Sequence, residues 1–222
     1  VNIMKNIYIS EEIKETCPYI ALGCIQSEIV VKDTDEKLYS EITDYCNTMR
    51  EKMVVADIAK QRNIKDTRKA YRSLGKDPTR YRSSAEALAR RIIKGQELYS
   101  INNIVEINNL ISLQSLYPVC AYDLSKIQGD ITLKRAEKGA KYNAIGRGQL
   151  NIEYLPVFCD ELGYFGSTTS DSERGMIDKS TKDILMIIVS FNGRAGLDKH
   201  IKNMARLLKE FALAKNIIIK FI

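Results

Sequence analysis

Pro118 divides the chain between two hydrophobic periodicities, and a fold of a single structural class does not accommodate both. Before it, apolar residues recur every three or four positions: Leu38, Ile42, Tyr45, Met49 and Met53, then Ile104, Ile107 and Ile111. A helix of 3.6 residues per turn gathers such residues on one face. After it the texture is β: Ile131 and Leu133 alternate with polar residues, and short apolar runs fill 155–159 and 183–191. Leu197, Ile201, Met204, Leu208 and Phe211 return to helical spacing over 197–214, and 217–222 reads as a closing strand. The pattern predicts an α+β fold. At 222 residues with 45% hydrophobic side chains, the chain can bury a sizeable core. The expected organisation is one compact domain over 1–222, with an N-terminal lobe at 1–54 and the main body at 55–222.

Local signals place the elements. Ser10 ahead of Glu11, Glu12 and Ile13 reads as a helix start, which Pro18 ends. Residues 19–25 and 28–32 read as two short β runs, and 34–52 as a helix. A single helix is expected over 55–74, stopped by Gly75. Asp77-Pro78-Thr79-Arg80 is a turn signal. Ser83 and Glu86, three apart, fit a capping box in which each side chain satisfies the other's backbone NH. That helix stops at Gly95, and the next covers 102–116. Turns are expected at Lys138-Gly139, at Gly146 to Gly148 and at Asn192-Gly193.

Charge is unevenly placed. The net charge is +6, yet residues 60–94 hold twelve basic and three acidic side chains, a local +9 against −3 elsewhere. Such an excess suits a polyanion, because neutralised phosphates release condensed counterions. The arginines stand out, since a guanidinium binds phosphate or carboxylate through two parallel hydrogen bonds. A solvated helix face is the plainer reading.

Other chemistries are thinned out. Cys17, Cys24, Cys46, Cys120 and Cys159 are odd in number and match no zinc spacing, so free thiols in a reducing compartment are expected. His200 is the single histidine, which removes most metal and Ser-His-Asp chemistry. No metal and no cofactor is expected. The apolar runs are far shorter than the roughly 20 residues of a membrane span, and the N-terminus has no signal-peptide pattern. The expected setting is cytoplasmic, away from membranes.

Two stretches carry a family resemblance. The first is Arg72-Ser73-Leu74-Gly75-Lys76-Asp77-Pro78-Thr79-Arg80-Tyr81-Arg82-Ser83-Ser84-Ala85-Glu86-Ala87-Leu88, followed by Arg90-Arg91. The second runs from Ser100 to Asp130 and contains Glu106-Ile107-Asn108-Asn109 and Pro118-Val119-Cys120-Ala121-Tyr122-Asp123. They resemble free-standing relatives of the tRNA-binding and editing domain (the B-three/B-four region) of the bacterial phenylalanyl-tRNA synthetase β-subunit, most clearly over 68–191. The resemblance implies mixed β-sheets flanked by helices, with 55–222 as the editing-like domain. It implies a tRNA or aminoacyl-tRNA partner rather than DNA, and hydrolysis of tyrosine misattached to the tRNA for phenylalanine. It covers no aminoacylation module, so a complete tRNA ligase is not expected.

The resemblance also places candidate site residues. Asn108-Asn109 stand where the family has Thr-Asn, and Cys120 stands where it has histidine. The glutamate that reads the substrate hydroxyl falls near Glu173, within Ser170 to Arg174. Together Asn108, Asn109, Cys120 and Glu173 are the candidate pocket for an amino acid. Arg68, Arg72, Arg80, Arg82, Arg90 and Arg91 are the candidate RNA-binding set. Arg72, Arg80 and Arg82 suit a phosphate clamp and equally an ion-pair network with Asp77 and Glu86. Tyr71, Tyr81 and Tyr99 could stack on a terminal base or pack at the surface. Gly146-Arg147-Gly148 reads as a plain turn rather than an anion cradle. Three functions follow: trans-acting hydrolysis of a misacylated tRNA, amino-acid or aminoacyl-nucleotide binding without turnover, and a weaker third in which Cys120, read as a loop residue, is a nucleophile.

Overall fold

A computed structural model describes residues 4–222 of the chain. Ile184 to Val189, apolar at every position, explains the centre of the fold. Strand β9 (Asp183–Ser190) pairs antiparallel with β2 (Ala21–Glu28) on one side and β3 (Val119–Asp123) on the other. Strand β10 (Lys215–Phe221) adds outside β2, so the sheet runs β10-β2-β9-β3. The sheet is covered on both faces, which is why β9 does not alternate with polar residues. Ile184, Met186 and Ile188 meet one core cluster, and Leu185, Ile187 and Val189 meet another.

The first face is covered by helices. These are α2 (Glu36–Lys52), α5 (Ser84–Ile93), α6 (Asn103–Ser115) and α7 (Leu197–Ala212). Helix α7 lies so close to β2 that a Cβ on Gly23 would sit 2.8 Å from Ile201 Cδ1. The second face packs on a mixed sheet. There β1 (Ile7–Ile9) runs parallel to β4 (Ile131–Arg135), and β7 (Pro156–Asp160) and β8 (Gly163–Ser167) continue antiparallel. Ile13 of α1 (Glu11–Thr16) and Ala70 and Leu74 of α4 (Arg62–Leu74) close this core. A hairpin of β5 (Lys141–Ala144) and β6 (Gly148–Asn151) forms a third, two-stranded sheet, joined to the segment after β8 by a bridge from Ala144 to Ser172. The architecture is α+β, as the periodicities predict. Residues from before position 54 share one sheet with the rest, since β2 lies between β9 and β10.

Several local expectations are corrected. Residues 28–32 are not a second strand; β2 is continuous to Glu28, and the following backbone is held by other partners. Ile29 N donates to Lys182 O, and Asn103 bridges Lys32 N and Val30 O. The helix expected over 55–74 is two, α3 (Val55–Ile58) and α4, because Lys60 N and Gln61 N turn back three residues onto Asp57 O and Ile58 O. Gly75 does end α4, in the left-handed region at φ +91. Cys120 lies within β3, not in a loop. The apolar pattern passes over the two arms of the hairpin, which are short and largely exposed, and over β8, which is largely buried but carries Tyr164 and Phe165 between two glycines in place of an apolar run.

Candidate functional site

Helix α4, the turn after it and α5 bring the basic segment together, and its arginines divide into two layers. The inner layer surrounds Glu86, whose side chain is fully buried in the first turn of α5. Ser83 Oγ accepts from Glu86 N at 3.3 Å, which is the expected cap. The return half of the capping box is absent: the Glu86 carboxylate turns inward to the arginines. Arg68 Nη1 donates to both of its oxygens at 3.0 Å, and Arg90 Nε donates to Oε1 at 2.9 Å. Arg68 also reaches Pro78 O and Thr79 Oγ1, which ties α4 to the turn and to α5. A buried carboxylate needs this pairing to offset its desolvation. Asp77 does not join the network; it accepts from Thr79 N and closes its own turn.

The outer layer faces solvent around a cavity of about 420 Å³. Arg80, Arg82, Arg90, Arg91, Lys94 and Arg147 line it, with Tyr81 and Thr169, and none of its lining residues is acidic. Arg90 therefore serves both layers, and Arg82 sits between them, its Nε 3.9 Å from Glu86 Oε1. The C-terminal end of α5 supports cations here, because the helix dipole is negative at that end. Tyr81 is held by Lys76, whose Nζ lies 3.8 Å from the ring centroid while donating to Asn151 O and Oδ1. Burial of Lys76, and secondarily the charge of Arg80, lower its amine to about 8. Arg91 lies 4.3 Å over the ring of the exposed Tyr99. Arg72 is exposed and is not among the lining residues.

Beneath the cavity lies a closed, mostly neutral cluster. Tyr71 is fully buried and its hydroxyl bonds Thr168 Oγ1 and Thr169 Oγ1. Thr169 thus joins the cavity floor to the interior. Tyr122 donates to Asp171 Oδ1 at 2.7 Å, and Ser167 N reaches the same oxygen at 3.2 Å. Gly166 makes room for this pair, since a Cβ there would come 2.6 Å from Asp171 Oδ1 and collide with the Tyr122 hydroxyl. Burial dominates over these donors and raises the Asp171 carboxyl to about 7. Cys120 is buried, with its thiol 3.7 Å from Ser167 O. Burial, then the nearby Asp171, push that thiol well up, so it is not the thiolate that a nucleophile requires.

The structure does not bring the four candidate pocket residues together with the cavity: none of Asn108, Asn109, Cys120 and Glu173 lines it. Asn108 and Asn109 are half-buried on α6, and Asn108 Oδ1 is buried with no hydrogen-bond partner among the described residues. Glu173 is exposed in a short 3-10 turn, Glu173–Gly175. The acid that points inward is Asp171, two positions earlier. Arg147 is the wall residue least visible in the sequence. It belongs to the turn between β5 and β6, outside the basic segment, and only the Gly146-Arg147-Gly148 triplet hints at it. His200 is buried on α7 against Tyr117, and its desolvation lowers it to about 4. Among the described residues no cluster of His, Cys, Asp and Glu could hold a metal, and no helix is long and apolar enough to cross a membrane.

Comparison with known proteins gives this arrangement a family. A 100-residue segment, 42% of the chain, is 34% identical to the phenylalanine–tRNA ligase beta subunit of Aquifex aeolicus, of which it covers 12%. A 134-residue segment, 58% of the chain, is 29% identical to the corresponding subunit of Fusobacterium nucleatum and covers 16% of it. The chain thus matches a small part of these curated relatives. Among solved structures, an N-terminal fragment of the phenylalanyl-tRNA synthetase beta-subunit from Pyrococcus horikoshii aligns over 97% of this chain and 52% of its own, at 14% identity and a TM-score of 0.47. The family model of the B3/4 domain matches residues 66–210, a span that includes most of α4, all of α5, Cys120, Asp171 and every cation that lines the cavity, and the chain belongs to the B3/4 domain family.

Proposed function

We propose that the chain binds the aminoacylated end of a tRNA, with the RNA backbone held in the cationic cavity between α5, the turn at 77–82 and the β5–β6 hairpin. The observation that carries the reading is the concentration of six cations around one open cavity with no acidic lining residue. Phosphates suit that environment, and arginine binds them through paired hydrogen bonds. Tyr81, fixed by Lys76, offers a ring on which a base can stack. Membership of the B3/4 family, and relatives named as phenylalanine–tRNA ligase beta subunits, point to the same partner.

The finer reading is hydrolysis of a misacylated tRNA. An aminoacyl ester is already activated, so holding it beside a water contributes mainly by proximity. The cations and the Thr169 hydroxyl would stabilise negative charge developing on the ester oxygen. No imidazole, thiol or carboxylate lines the cavity, so no side chain there serves as a strong general base. The test is release of amino acid from tRNA for phenylalanine charged with tyrosine, beside correctly charged and alanine-charged controls. Selective release that is lost in Arg82→Ala supports hydrolysis and names the amino acid. Salt-sensitive binding without release leaves an aminoacyl-tRNA-binding module. Neither binding nor release leaves a small-molecule module, the alternative for a domain of this kind.

A further inference from the structure

A second cavity, of about 390 Å³, opens on the face of α4 that carries Arg62, Asp66 and Lys69, between the end of α1 and the turn after β9. Its layers differ from those of the first. The floor is apolar, made by Phe191, Ala70 and Cys17. Above it stands the carboxylate of Asp66, 30% exposed and fixed in direction: Asn192 Nδ2 donates to Asp66 Oδ2 at 2.9 Å. The amide cannot flip, because Asn192 Oδ1 accepts from the Tyr117 hydroxyl at 2.9 Å. Arg62 Nε also approaches Oδ2, at 3.9 Å. Asp66 Oδ1 accepts no hydrogen bond among the described residues. At the rim stand the cations Arg62 and Lys69 and the ring of Tyr19, which is 71% exposed.

We infer that this cavity is a nucleotide site that accepts bases bearing an exocyclic amine. A ligand that fits must present a flat apolar body, a hydrogen-bond donor directed inward and an anion directed outward. A purely anionic ligand is repelled by Asp66, and a purely cationic one by Arg62 and Lys69. A nucleoside monophosphate meets all three demands. Its base packs on the apolar floor and stacks on Tyr19, as single-stranded bases do on exposed aromatic rings. Its amine donates to Asp66 Oδ1, as carboxylates accept from cytosine N4. Its phosphate lies between Arg62 and Lys69. Uracil is disfavoured, since it has no exocyclic amine and its one free ring donor, N3–H, is flanked by two carbonyl oxygens that would face the carboxylate. The inference goes beyond the cationic cavity and does not depend on it.

The test is a titration of the full chain with CMP, AMP, GMP and UMP at low salt, followed by amide NMR. The expected result is that the first three move resonances of Tyr19, Asp66 and Asn192, with UMP about tenfold weaker, within the range by which one specific base contact discriminates. Asp66→Asn keeps an oxygen to accept from Asn192 but adds a donor, so it is expected to bring UMP level with the others. Tyr19→Ala, at an exposed position, is expected to weaken all of them by about tenfold. Arg91→Ala, in the other cavity, is expected to leave these shifts in place. Equal binding of UMP by the wild type, selectivity unchanged in Asp66→Asn, or shifts confined to the Arg82–Arg91 region would each overturn the inference. So would the absence of any nucleotide response, or a response to free amino acids in its place. None of these outcomes would remove tRNA binding from the first cavity, and shifts confined to the Arg82–Arg91 region would place the nucleotide there instead.

Discussion

The cationic cavity and the hydroxyl cluster beneath it are neighbours built on opposite principles. Around the cavity, charge is left open to solvent on Arg80, Arg82, Lys94 and Arg147, while Arg91 is half-buried, its Nε donating to Glu97 O. In the cluster, Tyr71, Tyr122, Cys120 and Asp171 are packed together, burial opposes ionisation of each, and every hydroxyl named has a protein partner. An open cation costs little to maintain and is available to a ligand. A closed polar cluster is structural unless something opens it. Thr169 touches both regions, so a ligand in the cavity would meet the cluster through one hydroxyl.

This contrast can be broken most forcefully at Glu86, where the inner layer supports the outer one. Glu86→Ala leaves Arg68 and Arg90 without their buried carboxylate and should destabilise the fold by about 3–5 kcal/mol in denaturant unfolding. A loss under about 1 kcal/mol would mean that the arginines find other partners and that the two layers are not distinct. The outer cations should behave in the opposite manner. Arg82→Ala, at an exposed position, should change stability by no more than about 0.5 kcal/mol, and Arg91→Ala, which loses the Glu97 carbonyl and the Tyr99 ring, by about 1 kcal/mol. Each should nonetheless weaken tRNA binding by about tenfold or more, since hydrogen bonds to charged groups contribute about 1.5–3 kcal/mol.

Asp171 sharpens the comparison through pH. Its folded carboxyl titrates near 7, above the unfolded value, so between about pH 4 and 7 the folded state holds a proton that the unfolded state has lost. Stability should therefore fall as pH rises through that window, by at most about 1.4 kcal/mol per pH unit. Asp171→Asn should flatten that slope; an unchanged slope would place the titration elsewhere. The smallest expected effect is at Cys120. Buried and held protonated, it should resist alkylation in the native protein, and any tRNA-dependent activity should survive the reagent. Rapid native-state labelling of Cys120 with loss of activity would return it to consideration as a nucleophile.

How much of this was legible in the sequence follows from the range of each interaction. Ser10, Gly75, Ser83 and Asn192-Gly193 act on neighbours a few residues away, and each was readable as a cap or turn. The motif from Arg72 to Arg91 placed most of the cavity wall, because the turn and α5 that line it are contiguous in the chain. Arg147 and Thr169 were not legible as wall residues, since strand pairing carries them there from far along the chain. Glu86 reads as a capping residue from its spacing alone, and only the approach of Arg68 and Arg90 shows why its side chain turns inward. Asp171 and Glu173 are two positions apart, and no local rule distinguishes the acid that points inward from the one that faces water.

The most direct test is the salt dependence of tRNA binding for the wild type and for the Arg82→Ala, Arg91→Ala double variant. If the cavity holds RNA phosphates, log Kobs should fall steeply with log salt for the wild type. The slope should lessen by about two in the variant, close to one for each phosphate that is no longer neutralised. An equal slope in both proteins, or no salt-dependent binding in either, would contradict the assignment of the cationic cavity to RNA.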